Sequence, residues 1–533
     1  MKKTKRYILR ATCMLLGSCM LLLACTESYE SINTDKRNVT VMTAAEIPFL
    51  FSKALSVAPN NQNNYQIAQN LFADQYAQYF ACTASSFGSD RLVINQNWVG
   101  AAFNPIYTQV APQLDAIFQL TDPSTAEYQL ASIWWVYAFH RVTDYWGPIP
   151  YTQILQDSDV VPYDAQDAIY NNFFERLSAA VTVLEGKRAE TPFGNYDILY
   201  GGDVDRWIKF ANTLRLRLAM RISNVNPERA QTEAEAAVAG GVMEESPTDD
   251  ALVQRSLNGG DGNGLAIMQW NEFRMSASME SVLKGYEDPR ITEYYLPHPV
   301  VIDGTEVRRE YDGARNGMTP GQMAAAVNHT DSLSQQGPRW SPVSVGGIAT
   351  YNSTPQNVMC SAEAWFLRAE GALKNWNMGG GTSQEYYEAG ITQSFLQWGF
   401  TADQAAAYAA STNTPVEPDD FFDSPAMTDI PVAFGSTLEV QEEQIATQKW
   451  IALFPDGVEA WADYRRSHKL KLYPVVNSDN PLIGNPSSQW LRRIPFLESE
   501  RGINPDGVAS GEALLNGPDD TQTPLWWDVI PRN

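Results

Sequence analysis

Glu363 and Glu370 are the first residues in this sequence whose types and spacing could do chemistry. A glycosidase needs little more than two carboxylates roughly 5–9.5 Å apart across a cleft. These two glutamates lie two helical turns apart on one face, with Arg368 near that surface. Trp365, Phe366, Leu367 and Leu373 surround them, and a carboxylate in such company must be paired. We therefore read them as structural ion-pair partners. Asp419-Asp420 and Asp519-Asp520 sit in loop sequence with no apolar surround to tune a pKa, and are expected to be solvated. Asp261 and Asp312 could serve only if long-range folding brought them face to face.

Other catalytic equipment is missing. The sequence holds no GxxxxGK[ST], no HExxH and no GxSxG. Gly260, Gly262 and Gly264 alternate with polar residues but lack the strand and helix that a dinucleotide loop requires, so they mark a turn. Asp261 and Asn263 lack the spacing of a calcium loop. The four histidines, His140, His298, His329 and His468, are scattered without ligand spacing. No catalytic residue, metal or cofactor is expected.

Aromatic residues are the positive signal. Of fifteen tryptophans, Trp207, Trp365 and Trp450 fall on apolar helical faces and read as core. Trp98, Trp146, Trp270, Trp340 and Trp526 lie in polar or glycine-rich context. A flat apolar ring beside Asn and Asp suits a sugar, which has both CH faces and hydroxyls. It equally suits a protein interface. Trp98, Trp270, Trp340 and Tyr351 are the candidate ligand platforms.

The elements that must hold these rings begin after an export signal. Lys2, Lys3, Lys5, Arg6 and Arg10 precede a short apolar run ending in Leu22-Leu23-Ala24-Cys25. That order is a signal peptide over 1–24. Its cysteine stands where a bacterial lipobox places the lipidated residue, so Cys25 is the expected anchor. Residues 25–45 read as a stalk and 46–533 as one body. The formal charge of -24 sets nucleic-acid binding aside. Cys82 and Cys360 remain in the body, as a disulfide or as two buried thiols.

Apolar residues recurring at three and four positions predict helices over 65–81, 98–117, 125–142, 164–184, 204–222 and 230–239. Gly147 and the prolines after Asp144 stop the third. Helices return over 360–373, 385–398 and 438–454, with a short one around Trp461. The scaffold thus lies mainly in 46–240 and 358–470. Between them, 241–357 loses the helical rhythm and reads as an irregular, loop-rich subdomain with short strands. Residues 471–533 are turn-rich. Paired helices of this kind suggest a stacked helical repeat.

Several blocks together resemble the SusD/RagB family of nutrient-binding outer-membrane lipoproteins, in its SusD-like type 2 branch. They are the run from Ala138 to Tyr151 (AFHRVTDYWGPIPY), Pro162-Tyr163-Asp164, the run from Trp207 to Arg217 (WIKFANTLRLR), and Asp288-Pro289-Arg290. The runs from Ala362 to Glu370, Gln448 to Leu453 and Glu459 to Arg466, then Arg492-Arg493-Ile494-Pro495, complete the set, with Ile32-Asn33-Thr34 near the start. The resemblance implies an all-α, tetratricopeptide-like scaffold of helical hairpins with a variable loop-rich part. It implies a cell-surface, outer-membrane lipoprotein that captures a glycan or oligosaccharide and delivers it to a SusC-like TonB-dependent porin, without catalysis. A non-glycan nutrient such as a peptide, and a surface-tethered glycosidase on a helical scaffold, are the competing readings.

Overall fold

The computed structural model describes residues 43–60, 64–256, 262–345, 347–350, 354–484 and 490–530. The signal segment, Cys25 and Tyr351 lie outside them. The chain divides into two compact units, Met1–Ile47 and Pro48–Asn533. The second carries everything that follows.

Helices dominate, and consecutive ones pack as hairpins. Among the described residues four such pairs stand out: Ala126–Trp146 with Gln166–Leu184, Val204–Arg221 with Pro227–Ala239, Ser361–Leu373 with Ser383–Gln397, and Leu438–Leu453 with Gly457–Ser467. Neighbouring hairpins then pack on one another, as Gln166–Leu184 does on Val204–Arg221. Local sequence sets the ends. Asp203 accepts a hydrogen bond from the Arg206 N–H, and Thr125 accepts one from the Tyr128 N–H. Thr382 and Glu385 form a capping box. The helix from Ala126 runs through Trp146, two residues past Asp144. It breaks at Gly147, whose φ of 83° is open to glycine at little cost.

Buried ion pairs join the hairpins. Arg217, on Val204–Arg221, reaches Glu363 on Ser361–Leu373 at 2.5 Å, and both side chains are buried. Arg221 reaches Glu459 at 2.6 Å and Asp144 at 3.3 Å. Lys209 and Arg215 take Asp249 and Glu233. The basic residues of this helix are therefore spent inside the molecule, as its sequence suggests. Glu363 and Glu370 have different partners and act as structural links, with Arg466 holding Glu370.

Three expectations need correction, and the cysteine alternative resolves to one of its two readings. Residues 65–81 are not one α-helix: Gln66–Asp74 is wound as π-helix and Phe80–Cys82 is a strand. That strand pairs antiparallel with Phe273–Met275, tying the scaffold to the irregular region. The irregular region contains a true helix, Ala277–Gly285, and the tail contains Glu498–Ile503 and Pro505–Glu512. Asp519 and Asp420 are not solvated. The Asp519 side chain, 6% exposed, is held between Arg493 and Arg501, and Asp420 is buried with its Oδ1 accepting from the Phe422 and Ser424 N–H groups. Cys82 and Cys360 are separate buried thiols.

Among the described residues no helix is long and apolar enough to cross a membrane. The strands form only two-stranded antiparallel pairs, such as His298–Ile302 with Thr305–Glu310.

Candidate functional site

Two neighbouring features on the irregular side hold the candidate residues. The first is a cavity of about 350 Å³ walled by Trp340, Trp398, Arg141, Asp456, Gln69 and Asn263, with Gln356 and Asn357 nearby. Trp340 closes the single turn Pro338–Trp340 and is only 3% exposed. Its ring lies edge-on to Phe454 at 6.0 Å and tilted against Trp398 at 6.0 Å. The Arg339 guanidinium sits 4.2 Å over the Trp398 ring.

A polar network backs that cavity. Arg141 donates to both oxygens of Asp456, at 3.1 and 3.2 Å, and to Gln69 Oε1 at 3.2 Å. Gln69 Nε2 in turn donates to Asp74 Oδ1 at 3.0 Å. The Tyr65 hydroxyl lies 2.5 Å from Asp74 Oδ2 and 2.7 Å from Asn263 Oδ1. One hydroxyl proton serves only one of these acceptors. Burial pushes the Asp74 carboxyl up to about 7, against the Tyr65 and Gln69 hydrogen bonds. Protonated, Asp74 donates to Tyr65 and frees the Tyr65 proton for Asn263.

The second feature is an exposed aromatic surface. The π-helical segment Gly264–Gln269 starts beside Asn263, on the cavity wall, and ends at Trp270. Trp270 is 44% exposed and is the one exposed tryptophan of the fifteen. Asn271 follows with φ 64°, a left-handed turn that asparagine tolerates, and leads into the strand Phe273–Met275. Gln335 Nε2 donates to Asn271 Oδ1 at 2.8 Å and to the Met268 carbonyl at 3.2 Å, fixing the base under Trp270. Phe87 stacks on Phe273 at 6.0 Å and meets the half-buried Trp98 edge-on at 5.6 Å. Asn95 caps the helix that carries Trp98.

Of the sequence candidates, Trp98 connects through Phe87 to Phe273, which lies three positions after Trp270 on the same segment. Trp340 lies in the cavity at the other end of the π-helical segment. Phe87, Trp398, Arg141 and Asp456 were not singled out as site residues. Phe87 carried the same signal as the tryptophans, a lone ring in a polar stretch. Arg141 and Asp456 meet across 315 positions of sequence, and no local pattern announces that.

The arrangement can bind but has little to catalyse with. Asp456 is the one carboxylate among the described residues lining the cavity, and Arg141 occupies it. Asp312 is engaged by His298 at 2.6 Å and Lys284 at 3.0 Å. Glu310, Asp312 and Asp419 offer carboxylate oxygens close together, but Lys284 already pairs with Asp312. The hairpin scaffold thus carries loop-held rings beside a polar cavity whose one carboxylate among the described residues is already paired.

Comparison places it more narrowly. A family model described as SusD-like, Susd and RagB outer membrane lipoprotein, matches residues 26–528. A chitin-binding SusD homologue from Flavobacterium johnsoniae is 36% identical, with a TM-score of 0.81 over 92% of this chain and 100% of that one. A SusD homologue from Bacteroides vulgatus is 31% identical, with a TM-score of 0.79 over 91% and 98%. One from Bacteroides uniformis is 30% identical, with a TM-score of 0.80 over 91% and 99%. No curated protein matches. The chain belongs to the SusD/RagB family. It is a nutrient-binding outer-membrane lipoprotein without catalytic activity, and its partner is a SusC-type TonB-dependent transporter.

Proposed function

We propose that the nutrient is an oligosaccharide and that Trp270 is the ring it stacks on. The carrying observation is the exposure of this one tryptophan, in a chain that hides or half-hides the other fourteen. Asn271 and Gln335 supply amide donors and acceptors beside it, suited to sugar hydroxyls. Trp98 and Phe87 extend the apolar surface, and the Trp340 cavity gives the chain's end a polar recess. The chitin-binding relative supports a glycan over a peptide. Captured sugar passes to the partner transporter, and Cys25 carries the lipid that keeps the body at the cell surface.

Calorimetry of the lipid-free body against a panel of oligosaccharides and peptides tests this, with product analysis alongside. Saturable binding of an intact oligosaccharide, lost on Trp270→Ala, is the expected result. Binding of peptides alone, or full oligosaccharide affinity in that variant, overturns the reading.

A further inference from the structure

A separate cleft of about 380 Å³ opens beside Trp270, walled by Asn271, Arg274, His298, Arg309, Asp331 and Gln335. Arg274 is buried, at 3% exposure, yet among the described residues it forms no ion pair. The scaffold arginines Arg141, Arg217, Arg221, Arg290, Arg466 and Arg493 all have a carboxylate partner. The Arg274 guanidinium instead donates to neutral oxygens: the Thr330 carbonyl at 3.0 Å, the Phe273 carbonyl at 2.8 Å and Asn271 Oδ1 at 2.7 Å. Its side chain is thus tied to the residue that follows Trp270.

Burying a cation without a counter-ion is costly, and the strain shows in its acidity. Burial brings the Arg274 pKa down to about 10, with only Asp331 opposing. Asp331 stands on the rim, 87% exposed, where water and salt screen it. Arg309 reaches the same cleft from the hairpin, half in solvent, and pairs only with exposed Glu306 at 2.9 Å. His298 lines the cleft as well, with its Nε2 2.6 Å from Asp312. In a chain of net charge -24, this gathering of basic groups around one cleft runs against the overall field.

We propose that this cleft receives the anionic substituent of an acidic sugar, a carboxylate or a sulfate, while an adjoining ring stacks on Trp270. The inference rests on the oligosaccharide reading above and narrows it to acidic glycans. Arg309 would exchange its exposed partner Glu306 for the incoming anion, and Arg274 supplies a fixed positive field from behind. Charge-assisted bonds of this kind are stronger and more directional than those to neutral hydroxyls.

The test compares uronate oligosaccharides, the same chains with carboxyls reduced to alcohols, sulfated oligosaccharides, and neutral N-acetylglucosamine oligomers, all by calorimetry on the lipid-free body. The expected result is that acidic chains bind about tenfold or more tighter than their reduced forms. That advantage shrinks as salt rises. Arg309→Ala, an exposed change, removes most of the advantage and leaves neutral affinity unmoved. Arg274→Gln removes the rest if it folds, and the reduced chains decide the matter if it does not. Preference for sulfated over uronate chains identifies sulfate as the anion. Equal affinity for acidic and reduced chains, or binding of neutral chains alone, overturns the acidic assignment and leaves the oligosaccharide reading standing. Failure of every glycan to bind overturns both.

Discussion

Arg466 grips Glu370 with both arms of its guanidinium: Nη1 lies 2.6 Å from Oε1 and Nη2 lies 2.7 Å from Oε2. Asp463 and Lys449 close the group, with Lys449 Nζ 2.9 Å from Asp463 and 3.5 Å from Glu370. Among the buried groups two cations and two carboxylates balance, with the half-exposed Lys374 3.9 Å from Glu370 at the edge. Glu370→Ala leaves one positive charge unmatched, and the expected cost is about 2–4 kcal/mol in denaturant melts. Burial raises the Glu370 carboxyl, but Arg466 and Lys449 outweigh it and hold it well below the usual range. Its contribution is therefore full above the unfolded value of about 4.3 and is lost as pH falls through the lower folded value. A loss under about 0.5 kcal/mol at pH 7 would place the side chain in solvent.

Glu363 is buried more completely than Glu370 and faces Arg217 alone at short range. Glu363→Ala is expected to cost about 3–5 kcal/mol, because Arg217 stays buried with only the more distant Glu459, 3.5 Å away. Replacing both residues with apolar side chains of similar volume should recover most of that loss. A double-mutant cycle by chemical denaturation checks it, and strict additivity of the two single changes would refute the coupling.

Asp74 works in the opposite sense to Glu370. Burial lifts its carboxyl to about 7, while an unfolded aspartate titrates near 3.9. Between those values the folded chain holds one proton more than the unfolded chain. Stability from this group is complete below about 3.9 and falls as pH rises toward 7. Asp74→Asn removes that slope. Relative to the variant, the parent should lose roughly 4 kcal/mol across the window, at 1.36 kcal/mol per unit. Parallel pH-stability curves for parent and variant would show that Asp74 stays ionised in the fold.

Binding and stability should separate among the tryptophans. Trp270→Ala is expected to leave the melting point nearly unchanged, as surface substitutions do, and to weaken oligosaccharide binding about 5- to 150-fold, by analogy with aromatic–base stacking. Trp340→Ala should cost about 3–5 kcal/mol of stability, because its ring is packed against Phe454 and Trp398. Thermal melts beside calorimetry distinguish the two.

Cys25→Ser should release the protein from the outer membrane. Acyl chains give about 0.8 kcal/mol per buried CH₂, and no helix among the described residues replaces them. Fractionation with a labelled fatty acid reads this directly. Undiminished labelling in the variant would move the anchor elsewhere.

The scaffold was legible because a helix with one buried face writes its period into the sequence. Val204–Arg221 is the clearest case, and its basic residues were readable as internal partners. Shorter helices were not: Ala277–Gly285 and Pro505–Glu512 each span too few turns for a period to emerge. Periodicity also misread 65–81, since the π-helical winding of Gln66–Asp74 keeps apolar spacing while shifting the hydrogen bonds. At the site, polar context marked both Trp270 and Trp340, yet only one is exposed. Context reports neighbours along the chain, and exposure depends on neighbours in space. Arg274 left no mark at all, because bonding to neutral oxygens in place of a carboxylate is a property of the folded arrangement.

Gln66–Asp74, Ile106–Val110 and Gly264–Gln269 are all wound as π-helix. Such a turn holds one residue more than the α-helical turn it replaces. Each is therefore a joint where the chain can lengthen or shorten by a single residue and rewind, with everything downstream keeping its register. Two of the three border the candidate site, one carrying Gln69 on the cavity wall and the other leading to Trp270. Length changes absorbed there would reshape the wall of the candidate site and leave the hairpins in place. A lineage could in this way retune its diet one residue at a time on an unaltered frame.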